Sequence, residues 1–168
     1  MKKVYYGIGF ALSCLLLSGC ASSKDPEAQF HGQSATQIFQ GAEVALHKHN
    51  YATAVRHYEG LDALYPFSPY SEQAMLDSIY AYYQSGDPAS AAATATRFIH
   101  TYPASPHVDY AWYMKAVAEM RQDRTWTQRY LPLDLAARDP GAARQAYTDL
   151  STLITHFPAS PYVPDAKQ

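Results

Sequence analysis

Three stretches decide the fold: Tyr65-Pro-Phe-Ser-Pro-Tyr-Ser-Glu-Gln-Ala74, Tyr102-Pro-Ala-Ser-Pro-His-Val-Asp-Tyr-Ala111 and Phe157-Pro-Ala-Ser-Pro-Tyr-Val-Pro-Asp-Ala166. Each runs from an aromatic residue through Pro-x-Ser-Pro to an alanine. Pro66 and Pro103 are 37 residues apart, and Pro103 and Pro158 are 55. A spacing within ~20–50 residues marks a solenoid of stacked units, and the longer second gap carries an insertion. Each first proline cannot continue the helix before it. Each Ser-Pro pair reads as an N-cap with proline at the first helical position. Gly86-Asp87-Pro88 reads as stop, cap and start; Asp139-Pro140 repeats the device, and Asn50-Tyr51 makes the matching turn.

Between these stops the apolar residues recur at helical spacing. Ile38, Ala42, Ala45 and Leu46 share one face; Ala54, Tyr58, Leu61 and Leu64 the next. Met75, Ile79, Tyr82 and Tyr83 follow, then Ala91, Ala95, Phe98 and Ile99. The expectation is all-α: a solenoid of about three antiparallel helical hairpins over 34–168. The units fall at about 34–66, 69–103 and 106–158, with the insertion at 123–139.

Upstream, Met1-Lys2-Lys3 is a basic start and Val4–Leu17 an apolar run without charge. The run is shorter than the ~20 residues a spanning helix needs, which is the layout of a secretory signal over 1–19. Leu17-Ser18-Gly19-Cys20 resembles the lipobox of bacterial lipoproteins. That resemblance implies cleavage before Cys20, a diacylglycerol on its thiol and an acyl chain on its new amine. Ala21, where retained inner-membrane lipoproteins usually carry Asp, implies lipid anchoring at the periplasmic face of the outer membrane. Residues 20–33 are polar and aperiodic and read as a lipidated flexible tether. Of the two cysteines, Cys14 leaves with the signal and Cys20 is acylated, so no disulfide is expected.

The 168 residues make about one domain. With 48% apolar and 17% charged residues the chain can bury a core. A net charge of −2 argues against nucleic-acid binding, which wants a basic face.

The hairpin pattern resembles the tetratricopeptide repeat. Ala54, Tyr58 and Pro66 fit its small, aromatic and proline positions in the first unit. Tyr82, Ala91, Phe98 and Pro103 fit in the second, and Ala146, Leu150 and Pro158 in the third. Ile38-x-x-Gly41-Ala42 stands where the repeat usually has Trp-x-x-Leu-Gly. Signal, tether and repeat together resemble the BamD family of outer-membrane assembly lipoproteins. The residues that carry this are Leu61–Ser71, Leu76–Tyr83, Arg97-Phe98-Ile99 and Asp109–Met114, with the third-unit insertion ending Arg138-Asp139-Pro140. The resemblance covers about residues 34–166. It implies a non-enzymatic scaffold of β-barrel assembly whose partners are BamA, the smaller lipoproteins and unfolded barrel proteins. The family usually has about five repeats; this chain stops at Gln168 as a fourth opens, which reads as a C-terminal truncation.

Taking the repeat register, the first helices line an inner surface. They present Phe39, Glu43 and His47, then Gln73, Leu76, Tyr80 and Tyr83, then Tyr110, Tyr113, Val117 and Arg121. Tyrosine, fifteen copies in all, suits an extended peptide because it buries area and offers a hydroxyl at low entropic cost. The resemblance implies that the N-terminal repeats receive the aromatic-ended signal of unfolded barrel proteins, while packing between repeats accounts for many single tyrosines. Asp77 and Arg97 are candidates for a buried pair or a ligand contact. Trp126, beside Arg124, Arg129 and Arg138 in the insertion, is a candidate partner contact. His47, His49 and His57 lack metal-ligand spacing and read as helix-end histidines. No catalytic motif, metal site or cofactor is expected beyond the lipid on Cys20. A periplasmic repeat adaptor of the Tol type is the alternative, and it lacks the lipobox and the insertion seen here.

Overall fold

A computed structural model describes residues 26–122 and 141–168. The signal, Cys20 and the insertion, Trp126 included, lie outside the described residues. Eight helices and no strands occur among those described. They are α1 (Pro26–Phe30), α2 (Ala35–His47), α3 (Tyr51–Leu64), α4 (Ser71–Ser85), α5 (Pro88–Thr101), α6 (Val108–Gln122), α7 (Gly141–His156) and α8 (Val163–Ala166). Consecutive helices pack as hairpins, α2 with α3, α4 with α5 and α6 with α7, and each pair stacks on the next. This is the tetratricopeptide-like solenoid the periodicity called for.

Small residues set the close approach. Ala42, Ala54, Ala81, Ala91, Ala95, Ala111, Ala116 and Ala118 are fully buried. Larger side chains fill between them: Ile38, Leu61, Ile79, Phe98 and Leu153 are all at 1% exposure or less. The repeat positions Ala54, Tyr58, Ala91, Phe98 and Ala146 are therefore core.

The punctuation differs from the expected cap in one respect. Ser68, Ser105 and Ser160 do not begin helices. In all three units the Pro-x-Ser-Pro stretch forms two consecutive turns. Ser68 N–H donates to Tyr65 C=O at 3.1 Å, and Ser71 N–H to Ser68 C=O at 3.1 Å. The same pairs recur from Ser105 to Tyr102 and Val108 to Ser105, and from Ser160 to Phe157 and Val163 to Ser160. Each proline follows the accepting carbonyl, where its fixed φ favours a turn as readily as a helix start. The regular helix begins two residues after the second proline. Ser105 and Ser160 accept with their hydroxyls from the N–H two residues on, at 3.1 and 3.3 Å.

The turns inside the hairpins follow expectation. Asn50 caps α3 through Thr53 N–H and Asp87 caps α5 through Ser90 N–H. Gly86 is left-handed at φ 89°. His49 holds the matching place in the first unit at φ 56°, the one positive-φ residue other than glycine among those described.

Two further corrections concern the first unit. The segment read as tether is ordered from Pro26: α1 forms there, and Phe30 is only 2% exposed. Its ring fills a slot over Gly60, where a Cβ would sit 2.3 Å from Phe30 Cδ2. A lone aromatic in a polar stretch carries no periodicity, so only its slot reveals it. His57 is not at a helix end. It lies mid-α3 between Phe30, at 4.8 Å between ring centroids, and Gly41, whose Cβ would meet the imidazole at 2.5 Å.

In the third unit Lys115 of α6 reaches Asp149 of α7 and Glu119, at 3.2 Å, one turn along its own helix. Asp149 is buried and Glu119 half-buried. Burial, with Asp149 beside it, pushes the Glu119 carboxyl up to about 7. One ammonium thus serves two carboxylates.

The slot makes a testable prediction. Gly60→Ala should destabilise the protein, because the methyl displaces Phe30. In a Phe30→Ala background, itself destabilised by about 3–5 kcal/mol, the same change should stabilise by up to ~1 kcal/mol, as in an ordinary helix interior. Urea unfolding of the four proteins measures this reversal. A second outcome follows from the buried charges: Lys115→Met should cost about 3–5 kcal/mol by stranding the carboxylates, with Asp149→Asn restoring part of it.

Candidate functional site

The tyrosines of α3, α4 and α6 differ in what their rings and hydroxyls meet. Tyr58 and Tyr82 pack and use their hydroxyls internally, donating to Glu43 and Glu59 at 2.7 Å each. Phe39 stacks on Tyr70 at 4.8 Å. Tyr58 and Tyr82 also border a cavity of about 180 Å³ between α3 and α4. Tyr80, Tyr83, Tyr110 and Tyr113 border two other cavities on one side of α4 and α6, the last three while also packing against the core.

The first cavity, of about 240 Å³, lies between α4 and α6. Gln73, Leu76, Tyr80 and Tyr110 line it together, as the register predicts; Asp77 joins them and Tyr162 closes it. Tyr162 precedes α8 and stacks on Tyr113 with centroids 4.9 Å apart, while leaning on Tyr110 at 5.6 Å. Burial pushes the Asp77 carboxyl up to about 6; the Gln73 amide offsets part of that, and Glu43 across the groove adds to it. Tyr110, more deeply set, is also raised above its ordinary value by burial.

The second cavity, of about 520 Å³, adjoins Tyr83, Tyr113 and Arg121. Val117, Met120 and Leu150 give it an apolar wall. Arg121 lies over the Tyr83 ring, 4.6 Å from its centroid, and donates to Tyr83 C=O at 3.0 Å. That holds the guanidinium at the rim. Tyr113 donates its hydroxyl to Asp165 of α8. Burial and this carboxylate raise its phenol to about 12.

Tyr80, Tyr83, Tyr110, Tyr113, Asp77 and Arg121 therefore fall on one continuous, tyrosine-lined face. Arg97 does not. It pairs with Asp62 of α3 at 2.6 Å, with both side chains about half exposed. The expected Asp77–Arg97 pair is absent: Asp77 accepts from Gln73 instead, and Arg97 braces α5 against α3. Both residues sit mid-helix in one hairpin, but their Cβ directions diverge, which sequence spacing does not resolve. An exposed brace of this kind contributes ~0–1 kcal/mol.

Tyr162 and Asp165 were missed as members of this face. The signal available was the third Pro-x-Ser-Pro-Tyr, which repeats the turn that precedes each lining helix. Trp126 lies outside the described residues. Among those described, no group of three or more His, Cys, Asp or Glu could hold a metal ion, and no helix is long and apolar enough to cross a membrane.

Asp77 gives a pH-dependent prediction. Its folded pKa lies above its unfolded one, so the ionised carboxylate destabilises the fold above about pH 6, and protonation relieves this as pH falls. Asp77→Asn should raise the melting temperature at pH 7.5, and the gain should vanish by about pH 4. A melt series across pH checks it. A gain in stability from removing a charge is the mark of a group kept for another purpose.

Comparison with known proteins adds a family. A family model described as YfiO, outer membrane lipoprotein, matches residues 31–168. The chain is 36% identical over 166 residues to the outer membrane protein assembly factor BamD of Vibrio cholerae, which takes in 98% of this chain and 67% of that protein. The BamD of Xylella fastidiosa (strain Temecula1) is 34% identical over 154 residues, 92% of this chain and 52% of that protein. That of Neisseria meningitidis serogroup B is 33% identical, over 99% of this chain and 62% of that protein. The chain spans between about half and two thirds of the length of these relatives.

Proposed function

The chain belongs to the YfiO family of outer membrane lipoproteins, and from that premise we propose that it is a non-enzymatic scaffold of β-barrel assembly in the outer membrane. Its tyrosine-lined face receives unfolded barrel proteins as extended segments. The observation that carries this is the row of tyrosine rings: Tyr80, Tyr110 and Tyr113 border neighbouring cavities on one side of α4 and α6, and Tyr162 joins them by leaning on Tyr110 and stacking on Tyr113. A row of half-exposed phenols on rigid helices binds backbone and side chains alike without requiring one sequence.

The lipid on Cys20 holds this face at the periplasmic side of the outer membrane, two or more acyl chains sufficing for a stable anchor. The platform protein BamA and the smaller lipoproteins are the partners, and the insertion with Trp126 is a contact for one of them. The scaffold acts by binding and needs no cofactor. The relatives are all assembly factors by name, which supports this reading over a Tol-type adaptor.

In-cell crosslinking from a photoreactive residue at Tyr110 tests the reading. Recovery of nascent barrel proteins is expected, together with the assembly platform in the same membrane fraction; recovery of Tol components alone would sink it. Cys20→Ser should abolish acylation, measured by intact mass, and move the protein out of the outer-membrane fraction. Trp126→Ala should lower platform recovery while leaving client crosslinks unchanged.

A further inference from the structure

The cavity around Asp77 has a chemistry that peptide binding in general does not explain. Its volume of about 240 Å³ is below the ~300–1,000 Å³ of small-molecule sites and suits one side chain. Tyr80, Tyr110, Tyr162 and Leu76 make its apolar walls. The carboxylate of Asp77 stands among them, and its bonded partner is neutral: Gln73 Nε2, one turn away on the same helix, at 3.0 Å from each oxygen.

Among the described residues no cation pairs with that carboxylate. The ion pairs among the described residues are Arg97 with Asp62, and Lys115 with Glu119 and Asp149. The basic residue at the cavity is His107, which is exposed. Glu43, engaged by the Tyr58 hydroxyl, adds further negative potential from α2 rather than relief. A half-buried carboxylate with only an amide partner carries an uncompensated desolvation cost. Phenol rings beside it present faces that also attract positive charge. Countercharge, aromatic walls and one-side-chain size all specify the same guest.

We propose that this cavity seats the ammonium or guanidinium of a basic side chain in the bound polypeptide. Asp77 supplies the countercharge, Tyr80 and Tyr110 supply the aromatic walls, and Gln73 holds the carboxylate in place. The face then selects segments in which a Lys or Arg sits among the residues that lie along the tyrosines. This deepens the peptide reading and rests on it for the source of the cation.

The pocket is tested first without a peptide. Nα-acetyl-lysine methylamide and its norleucine counterpart are titrated into the full chain in detergent, and the tyrosine ring resonances are followed by NMR. The lysine probe should shift Tyr80 and Tyr110, norleucine should not, and Asp77→Asn, with helicity intact by circular dichroism, should remove the shifts. Equal shifts from both probes, no shift, or lysine shifts that survive Asp77→Asn would overturn the proposal. Extended peptides differing only in lysine or norleucine come second. The lysine peptide should bind the wild type about tenfold tighter, and the two should bind Asp77→Asn equally. Peptides that bind without this difference overturn the pocket and leave the peptide reading standing. Probe shifts without any peptide binding overturn the peptide reading and support the pocket.

Discussion

The double turn of the Pro-x-Ser-Pro stretch is the constraint on which the rest depends. Two consecutive hydrogen bonds, repeated with the same partners in three units, fix how far the chain travels between one hairpin and the next. Proline following each accepting carbonyl removes the freedom to extend either neighbouring helix through the turn. Every lining helix therefore starts at the same offset from its predecessor. Positions seven, ten and eleven past the first proline fall on one side of the solenoid, which is where Tyr110, Tyr113 and Asp77 stand. The tyrosine-lined face is a consequence of turn geometry before it is a consequence of any tyrosine.

Packing around that frame is uneven in a way that suits a scaffold. The first two units are closed by alanines, by Phe98 and by the Phe30 plug, and the bonds between them, Thr36 to Tyr70, Tyr82 to Glu59 and Arg97 to Asp62, are exposed. The third joins α6 to α7 through a lysine shared by two carboxylates, with Glu119 Oε2 buried and unpaired. Such a cluster adds less stability than an apolar contact of equal volume and tolerates loss of a partner badly. It does fix one register between the two helices that flank the insertion. Phe30 has a comparable role at the other end: docked over Gly60, it ties α1 to α3.

The stability of the fold and the composition of its inner face pull in opposite directions. Asp77 is charged where burial disfavours charge, while Tyr110 and Tyr113 stay neutral beside it. Asp77 is no part of the core that Ile79, Phe98 and the alanines fill, and Tyr110 and Tyr113 pack against that core while bordering the cavities. Their retention on a half-buried surface is what separates this face from Arg97 and Asp62, a solvent-exposed brace with little at stake.

The sequence by itself determined the architecture, because prolines, caps and helical periodicity are local and repeat. Asn50, Gly86 and Asp87 act as read, and so does the register that places Tyr80, Tyr83, Tyr110, Tyr113 and Arg121 on one side. Other features were decided only by the tertiary structure, because they depend on directions and distances between segments far apart in the chain. Arg97 turned to Asp62 rather than Asp77 since side-chain direction is set by how α3, α4 and α5 cross. Phe30 left the tether because two glycines, Gly41 and Gly60, open a slot against His57 that no periodicity announces. Tyr162 and Asp165 joined the face only because α8 folds back beside α6, a contact made by residues some fifty positions apart.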